Sequence, residues 1–379
     1  MINFLKLNNI SSQIVLLIFG ILIMLVYSYY FGVQEGGDTS RYVNGANNIL
    51  ANTNLEGKQS NHISYIWFLA FIFSLGFGFK TIVIMQCILS IMSSWLMFKA
   101  GELIFNKKIA FFSALTWMII VDLQRWNFYI LTDGFANSLL LSTLCLSILT
   151  SIKNKWIWLF IPVFFLTILS RPEMSIIIFP VAIYFLFKDR VIGVVLLCFL
   201  GLFSYISINS GAEKYEFVNQ WKNGVTLGMG KIDSWPESSE FMSLTPPESI
   251  TSINSTGTVD FIIQAAMKEP IWMVKITSIK LFWFITNTRP YYSSLHNIVG
   301  FIFSATVLLF SIYFALSSVN FQKESALFLM VYFFQLIISV VLLMPTHDAR
   351  GESRVLGILI LISVAGFFKY INKRKLLIS

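Results

Sequence analysis

Long apolar runs separated by short polar connections dominate the chain, and runs approaching twenty residues read as membrane-crossing helices. They fall at 12–31, 81–98, 109–122, 134–152, 156–170, 174–187, 191–208, 297–317, 325–344 and 355–371. Two more apolar stretches, 62–79 and 271–285, read either as crossings or as helices lying at the membrane surface. The second, IWMVKITSIKLFWFI, holds Lys275 and Lys280 within the run. An interfacial helix accommodates these lysines, whereas charge at mid-bilayer costs several kcal/mol.

Charge decides between ten and twelve crossings. With the N-terminus inside and 62–79 at the outer surface, the inner loops and tail hold Lys6, Lys99, Lys107, Lys108, Lys153, Lys155, Lys188, Arg190, Lys323, Lys369, Lys373, Arg374 and Lys375. Only Glu102, Asp189 and Glu324 join them there, and the other sixteen of the 19 acids lie outside. Cytoplasmic loops carry the excess of Lys and Arg. Making 62–79 a crossing would send Lys99, Lys107 and Lys108 to the wrong side. The expected architecture is therefore an all-α polytopic membrane protein, a single integral domain over 1–379 with about ten crossings. Both termini are expected on the cytoplasmic side of the plasma (inner) membrane. Outer-face interfacial helices are expected in a first outer loop, 32–80, and in a large outer loop, 209–296.

Composition agrees. The 379 residues are 56% hydrophobic, 16% aromatic and 12% charged, far too apolar for a soluble domain. The net charge of +8 then belongs to orientation and lipid anchoring, and no nucleic-acid partner is expected. Cys87, Cys145 and Cys198 all sit in apolar runs without CxxC spacing, so neither a disulfide framework nor a zinc site is indicated. The run at 12–31 is long and has no small-residue cleavage pattern, which favours an uncleaved first span over a signal peptide. GVTLGMGK, Gly224 to Lys231, has the wrong spacing for a phosphate loop, and no Ser or Thr follows the lysine.

The polar residues without an obvious anchoring task gather on the outer side of this topology. In EGGDTSRYVNGANNIL, Asp38, Arg41 and Tyr42 share one face if a helix begins here. Tyr42, Val43, Ala46, Ile49 and Leu50 supply an apolar stripe that would lay that helix on the membrane. Asp38 after Gly-Gly also suits a plain N-cap, its carboxylate occupied by the first free amides. Asp122 and Arg125 come next, and then Asp133 in LTDGF, where an N-cap and an active role both fit. Arg171 and Glu173 occupy SRPE, at the tip of a hairpin whose arms have about 14–15 residues where about 20 would span. That tip could sit in a recess with Arg171 as a held cation, or Arg171 could snorkel to the interface paired with Glu173. His347, Asp348, Arg350 and Arg354 lie in the last outer loop, THDARGESR.

Arginines and carboxylates converging at one membrane face, without a metal-ligand cluster, suit transfer of a sugar carried on a lipid phosphate. Guanidinium groups match phosphate oxygens in bidentate fashion, and a carboxylate can take the proton of an attacking hydroxyl. GGDTSRY, the following A-x-x-x-L run, LTDGF, SRPE and the arginine-bearing last outer loop together resemble the GT-C superfamily of membrane glycosyltransferases. The similarity is to its lipid-phosphate-sugar enzymes, among them protein O-mannosyltransferases and the lipid A aminoarabinose transferase. The resemblance implies a polyprenyl-phosphate sugar donor, with Asp38 as the acidic residue that activates the acceptor and Asp133 as a second catalytic acid. It implies donor-phosphate contacts from Arg41, Tyr42, Lys58, Arg171, Arg350 and Arg354, with Arg125, Glu173, His347 and Asp348 nearby. The chain departs from the pattern at GKQSNHISY, which has Lys58 and His62 but none of the prolines usual there.

The expected activity is inverting transfer from the polyprenyl-phosphate donor to a glycan, lipid or protein acceptor at the outer face. No cofactor is implied and a metal is not indicated. An envelope-polysaccharide polymerase, a transporter or flippase for lipid-linked sugar, and a non-catalytic scaffold subunit are the alternatives.

Overall fold

A computed structural model describes residues 9–209, 214–227, 243–255, 258–289, 292–317, 323–337 and 350–378. Within the described residues, every apolar run named above falls on helix. The described residues are 84% helical and hold no strand, only isolated bridges such as Gln34 with Tyr129. The helices are α1 (Asn9–Phe31), α2 (Thr39–Leu50), α3 (Ile63–Ser74), α4 (Phe79–Ile104), α5 (Lys107–Ile119), α6 (Val121–Gln124), α7 (Thr132–Ile152), α8 (Ile157–Ile168), α9 (Ile178–Lys188) and α10 (Arg190–Asn209). After them come α11 (Lys214–Lys222), α12 (Glu248–Thr251), α13 (Thr258–Lys268), α14 (Pro270–Thr286), α15 (Ser294–Ser317), α16 (Lys323–Ile337) and α17 (Arg350–Ile378). The chain divides into two compact units, one of 1–200, 310–331 and 357–379, the other of 201–309 and 332–356.

The first unit is built around α7. Every residue from Thr132 to Thr150 is buried, so this helix meets protein on all sides rather than lipid. Its small hydroxyl residues make that possible. The Ser93 hydroxyl of α4 donates to the Ser138 carbonyl at 2.8 Å and lies 2.8 Å from the Ser142 hydroxyl; Thr143 meets Thr167 of α8 at 2.7 Å. Gln86, near the start of α4, donates to the Asn127 and Tyr129 carbonyls just ahead of α7. These contacts pair start with start and middle with middle, so α4 and α7 run parallel.

The run expected to cross at 109–122 bends by 63° between α5 and the segment 121–128. Buried amides satisfy the irregular backbone at the bend: Gln124 donates to the Trp117 carbonyl at 2.8 Å, and its own carbonyl accepts from Asn127 and Ser90. Non-helical backbone is tolerated at such a place only when enclosed in protein.

Helix length bears on the number of crossings. Five helices are long and apolar enough to cross a membrane, or six if the bent pair is one crossing; the expected count of about ten is not reached among the described residues. While 191–208 and 325–344 extend beyond the residues whose side chains are described, the shortfall within the described residues lies at 156–170 and 174–187. There α8 has 12 residues and α9 has 11, which at 1.5 Å per residue is about 18 Å against a hydrocarbon core of about 30 Å. Apolarity marked these segments correctly as helices, but in α8 and α9 a good part of it faces protein rather than lipid: Phe160, Phe164, Val181 and Phe185 are buried in the core.

The second unit has its own small core around Trp221, Ile250, Phe261, Trp272 and Ile276. Helix α14 is the run expected at the interface. Its Lys275 is exposed, but Lys280 is fully buried, its ammonium 3.3 Å from the centre of the Trp221 ring. Burial pushes the Lys280 pKa down to about 7.

Candidate active site

The first loop is fastened to the approach to α7 before either contributes chemistry. Gln34 and Ile130 exchange backbone hydrogen bonds with one another's strand-like segment, Gln34 N to Phe128 O at 2.8 Å and Ile130 N to Gln34 O at 2.9 Å. Thr39 then accepts from Gly36 N at 2.9 Å and donates to the Ile130 carbonyl at 3.0 Å. A side chain on Gly36 would meet Leu131 at 2.9 Å, so a glycine lets the loop lie this close. Together these contacts set the start of α2, with Asp38, beside the start of α7, with Asp133.

Helices α2 and α3 pack through Gly45, where a Cβ would meet the Ile66 side chain at 2.7 Å. The 3₁₀ turn 57–62 between them is held by Gln59, which accepts from Glu56 N at 2.8 Å and reaches the Arg41 carbonyl at 3.4 Å. From the turn, His62 points at the hairpin tip. Its Nδ1 lies 3.1 Å from the Ser170 carbonyl, which can only accept, so Nδ1 carries the proton. Ser64 ties the same hairpin, its hydroxyl donating to the Leu166 carbonyl at 2.8 Å and its N–H to Leu169 O at 3.2 Å.

Arg171 is the centre of the resulting cluster. Its Nη1 binds the Asp133 carboxylate and lies 3.4 Å from the Thr132 hydroxyl, while its Nε sits 2.5 Å from Glu173. Asp133 has a side chain only 1% exposed, and that of Arg171 is 15% exposed. Burial works against the guanidinium charge, but Asp133, Glu173 and Tyr42 outweigh it and hold its pKa above the ordinary value.

Tyr42 links this cluster to the first loop. Its ring meets His62 edge-on at 5.1 Å and Tyr65 at 5.4 Å, and Thr132 hydrogen-bonds its hydroxyl. Burial pushes the phenol up to about 12, with Arg171 pulling it down and Asp133 and Asp38 pushing it further up. Burial and the Arg171 charge lower the His62 pKa, against opposite pulls from the Ser170 carbonyl, Glu173 and Asp133.

Asp38 differs from Asp133 in kind. It stands at the N-cap position of α2 yet makes no side-chain cap; its carboxylate instead pairs with Arg41 at 3.1 Å, both side chains 36% exposed. Neither does Asp133 cap α7, since its carboxylate is turned to Arg171. The alternative of Arg171 snorkelling with Glu173 alone does not describe it: the guanidinium spans both carboxylates.

The structure thus brings Tyr42, Asp133, Arg171 and Glu173 together and sets Asp38 one helical turn before Tyr42, with Arg41 next to Tyr42 in the chain. Arg125 pairs with Asp122 at 3.8 Å and lies over the Trp126 ring. Lys58 lies on the 57–62 turn and Arg350 and Arg354 on α17, but their side chains are outside the described ones; His347 and Asp348 lie outside the described residues. Sequence reasoning missed Thr132 and Tyr65. The signal for Tyr65 was there in HISY, where i, i+3 spacing puts it on the face of His62.

Residues 62–209 match the family model described as dolichyl-phosphate-mannose-protein mannosyltransferase. The match takes in His62, Asp133, Arg171 and Glu173, while Asp38, Arg41 and Tyr42 precede it. No curated protein matches the chain. Over the matched stretch, set among apolar helices, the chain is similar to membrane glycosyltransferases of the GT-C type, and the match supports glycosyltransferase activity.

Proposed function

We propose that the chain transfers a sugar from a polyprenyl phosphate to an acceptor hydroxyl at the outer face of the plasma membrane, with inversion. The observation that carries this reading is the aimed Arg171, a buried cation held between Asp133 and Glu173 beside the exposed Asp38–Arg41 pair. The donor phosphate is bound by Arg171 and Arg41, with the Tyr42 hydroxyl alongside. The acceptor oxygen attacks the anomeric carbon as its proton passes to the Asp38 carboxylate. The bond from that carbon to the phosphate oxygen breaks, and its electron pair leaves with the lipid phosphate. A single in-line displacement of this kind inverts the anomeric centre. Asp133 is too enclosed, and too committed to Arg171, to serve as the base; it orients the phosphate-binding cation.

The distribution of charge supports the outer placement. Lys188 pairs with Glu324, Lys369 binds the Ser317 carbonyl and Lys108 lies over Phe368, all at the helix ends away from Arg171. On the positive-inside bias those ends are cytoplasmic and Arg171 is external. Both termini inside fit the same bias, with the α8–α9 hairpin rising from within and ending short of the outer surface.

The test is transfer by purified protein from synthetic polyprenyl-phosphate sugars, with the product's anomeric configuration read by NMR. Transfer that is undiminished in Asp38→Asn and Arg41→Ala proteins would remove those residues from the mechanism. A cysteine at position 38 that reacts only with a membrane-impermeant reagent supplied from inside would reverse the sidedness. Movement of the intact lipid-linked sugar across vesicles, with no product formed, would favour a flippase.

A further inference from the structure

At the end of the first unit opposite Arg171, the ends of α4 and α5 face α15 and α17 around a pocket of about 600 Å³. Because α4 and α7 run parallel, the Phe105 end of α4 is remote from the start of α7 where Asp133 lies. The pocket lining holds Lys108, Lys369 and Lys373 and no carboxylate. Its aromatic wall engages two of these cations, Lys108 lying 4.7 Å from the centre of Phe368 and Lys369 lying 5.6 Å from that of Phe314. Lys369 also donates to the Ser317 carbonyl at 2.6 Å. Tyr313 and Ser317 line the same pocket, and among the described residues their buried hydroxyls have no hydrogen-bond partner.

Three lysines and two uncommitted hydroxyls around one cavity call for an anion with several acceptor oxygens. Ammonium groups serve as point charges for phosphate, and hydroxyls can donate to its remaining oxygens. The surroundings supply the other half of the ligand. Beside the pocket, α15 exposes Ile312 (53%) and Leu316 (84%), and α17 exposes Phe367 (42%), an apolar surface suited to acyl chains. Basic pockets between membrane helices are built for lipid headgroups.

We propose that this pocket binds the phosphate headgroup of an anionic phospholipid, seated on Lys108, Lys369 and Lys373, with its chains along α15 and α17. The site is separate from the donor site and does not depend on the transfer chemistry.

The test uses the full-length protein in neutral detergent, titrated with phosphatidylglycerol, phosphatidylcholine or inorganic phosphate, with bound lipid counted by native mass spectrometry and stability followed by thermal melting. Phosphatidylglycerol should bind and raise the melting temperature, and the other two should do neither. The double variant K108Q/K373Q should weaken phosphatidylglycerol by about 30-fold, since each lysine near a lipid surface contributes a factor of about 5 and the two factors multiply. Tyr313→Phe, which keeps the aromatic wall and tests the site if the double variant folds poorly, should weaken it by a smaller factor. Lys155→Gln, an exposed lysine outside the pocket, should bind as the parent does. Equal binding of phosphatidylcholine, undiminished binding by both pocket variants, or an equal loss in Lys155→Gln would overturn the site. Protection by inorganic phosphate equal to that by lipid would overturn the lipid and leave a soluble phosphate as ligand.

Discussion

The chain holds two Asp–Arg pairs near the proposed reaction centre, and they behave as opposites. Asp38 and Arg41 sit three residues apart on one exposed helix face, where solvent and salt screen their attraction and such pairs contribute only about 0–1 kcal/mol. Asp133 and Arg171 lie 38 residues apart in the chain and meet where Asp133 is 1% exposed, so each charge is compensated by the other in a buried place. The same two side-chain types thus give one pair free to exchange partners with a substrate and one pair that acts as a fixture. A reaction needs both: a carboxylate able to accept a proton and a cation whose position does not change while it does so.

The largest effect should come from breaking the fixture. Arg171→Ala leaves Asp133 and Glu173 facing one another without their cation, and should cost about 3–5 kcal/mol, read as a lowered melting temperature in detergent together with lost transfer. Replacing Arg171 and Asp133 together by Met and Leu should cost less stability than Arg171→Ala alone while still abolishing transfer. A double variant less stable than the single one would show that the pair is not the coupled unit described.

Asp38→Asn should show the reverse division. Transfer should fall by about 10²–10⁴-fold, as for loss of a general base, while the melting temperature stays within the small range of an exposed substitution. A parallel loss of stability would mean that Asp38 belongs with the fixture.

Gly134→Ala probes the fixture from behind. A Cβ there would meet the Trp126 carbonyl and the Asn127 side chain at 2.7 Å, and backbone cannot give way as a side-chain tip can. A cost of about 1–3 kcal/mol is expected, with reduced transfer as Asp133 shifts. Gly45→Ala, facing only the flexible tip of Ile66, should cost less.

The smallest effect is a pH dependence at His62. Its folded pKa is lowered below the ordinary 6.5, so the unfolded chain binds the proton more readily. The stability involved is present above 6.5 and is lost as pH falls through the folded pKa. His62→Gln should flatten the melting temperature over that acid range while retaining a donor for the Ser170 carbonyl.

How much of this was legible depends on which force sets each feature. The helices were legible because apolar runs and their polar breaks are local. The gathering of Asp133, Arg171 and the first loop at one end followed from lysine sidedness before any packing was known. The different standing of Asp38 and Asp133 was not legible, because both follow short polar turns and only the packing of α3 and the hairpin buries one of them. Arg125, grouped with the others by its side of the membrane, is instead held by its own neighbours Asp122 and Trp126. The number of crossings was not legible for a related reason, since an apolar run does not reveal whether protein or lipid covers it.

That last point bears on how the protein is made. Helix α7 carries Asp133, Asn137, Ser138, Ser142, Thr143 and Ser147, all buried among neighbours. Alone in hydrocarbon those groups would lack the partners that α4 and α8 provide, and an acid in a lone helix is unfavourable to insert. The translocation machinery therefore meets in α7 a segment whose membrane residence depends on α4, already synthesised, and on α8, still emerging. Biogenesis of this protein is then a cooperative event, with the helix that carries the buried acid joining the bilayer as part of a group.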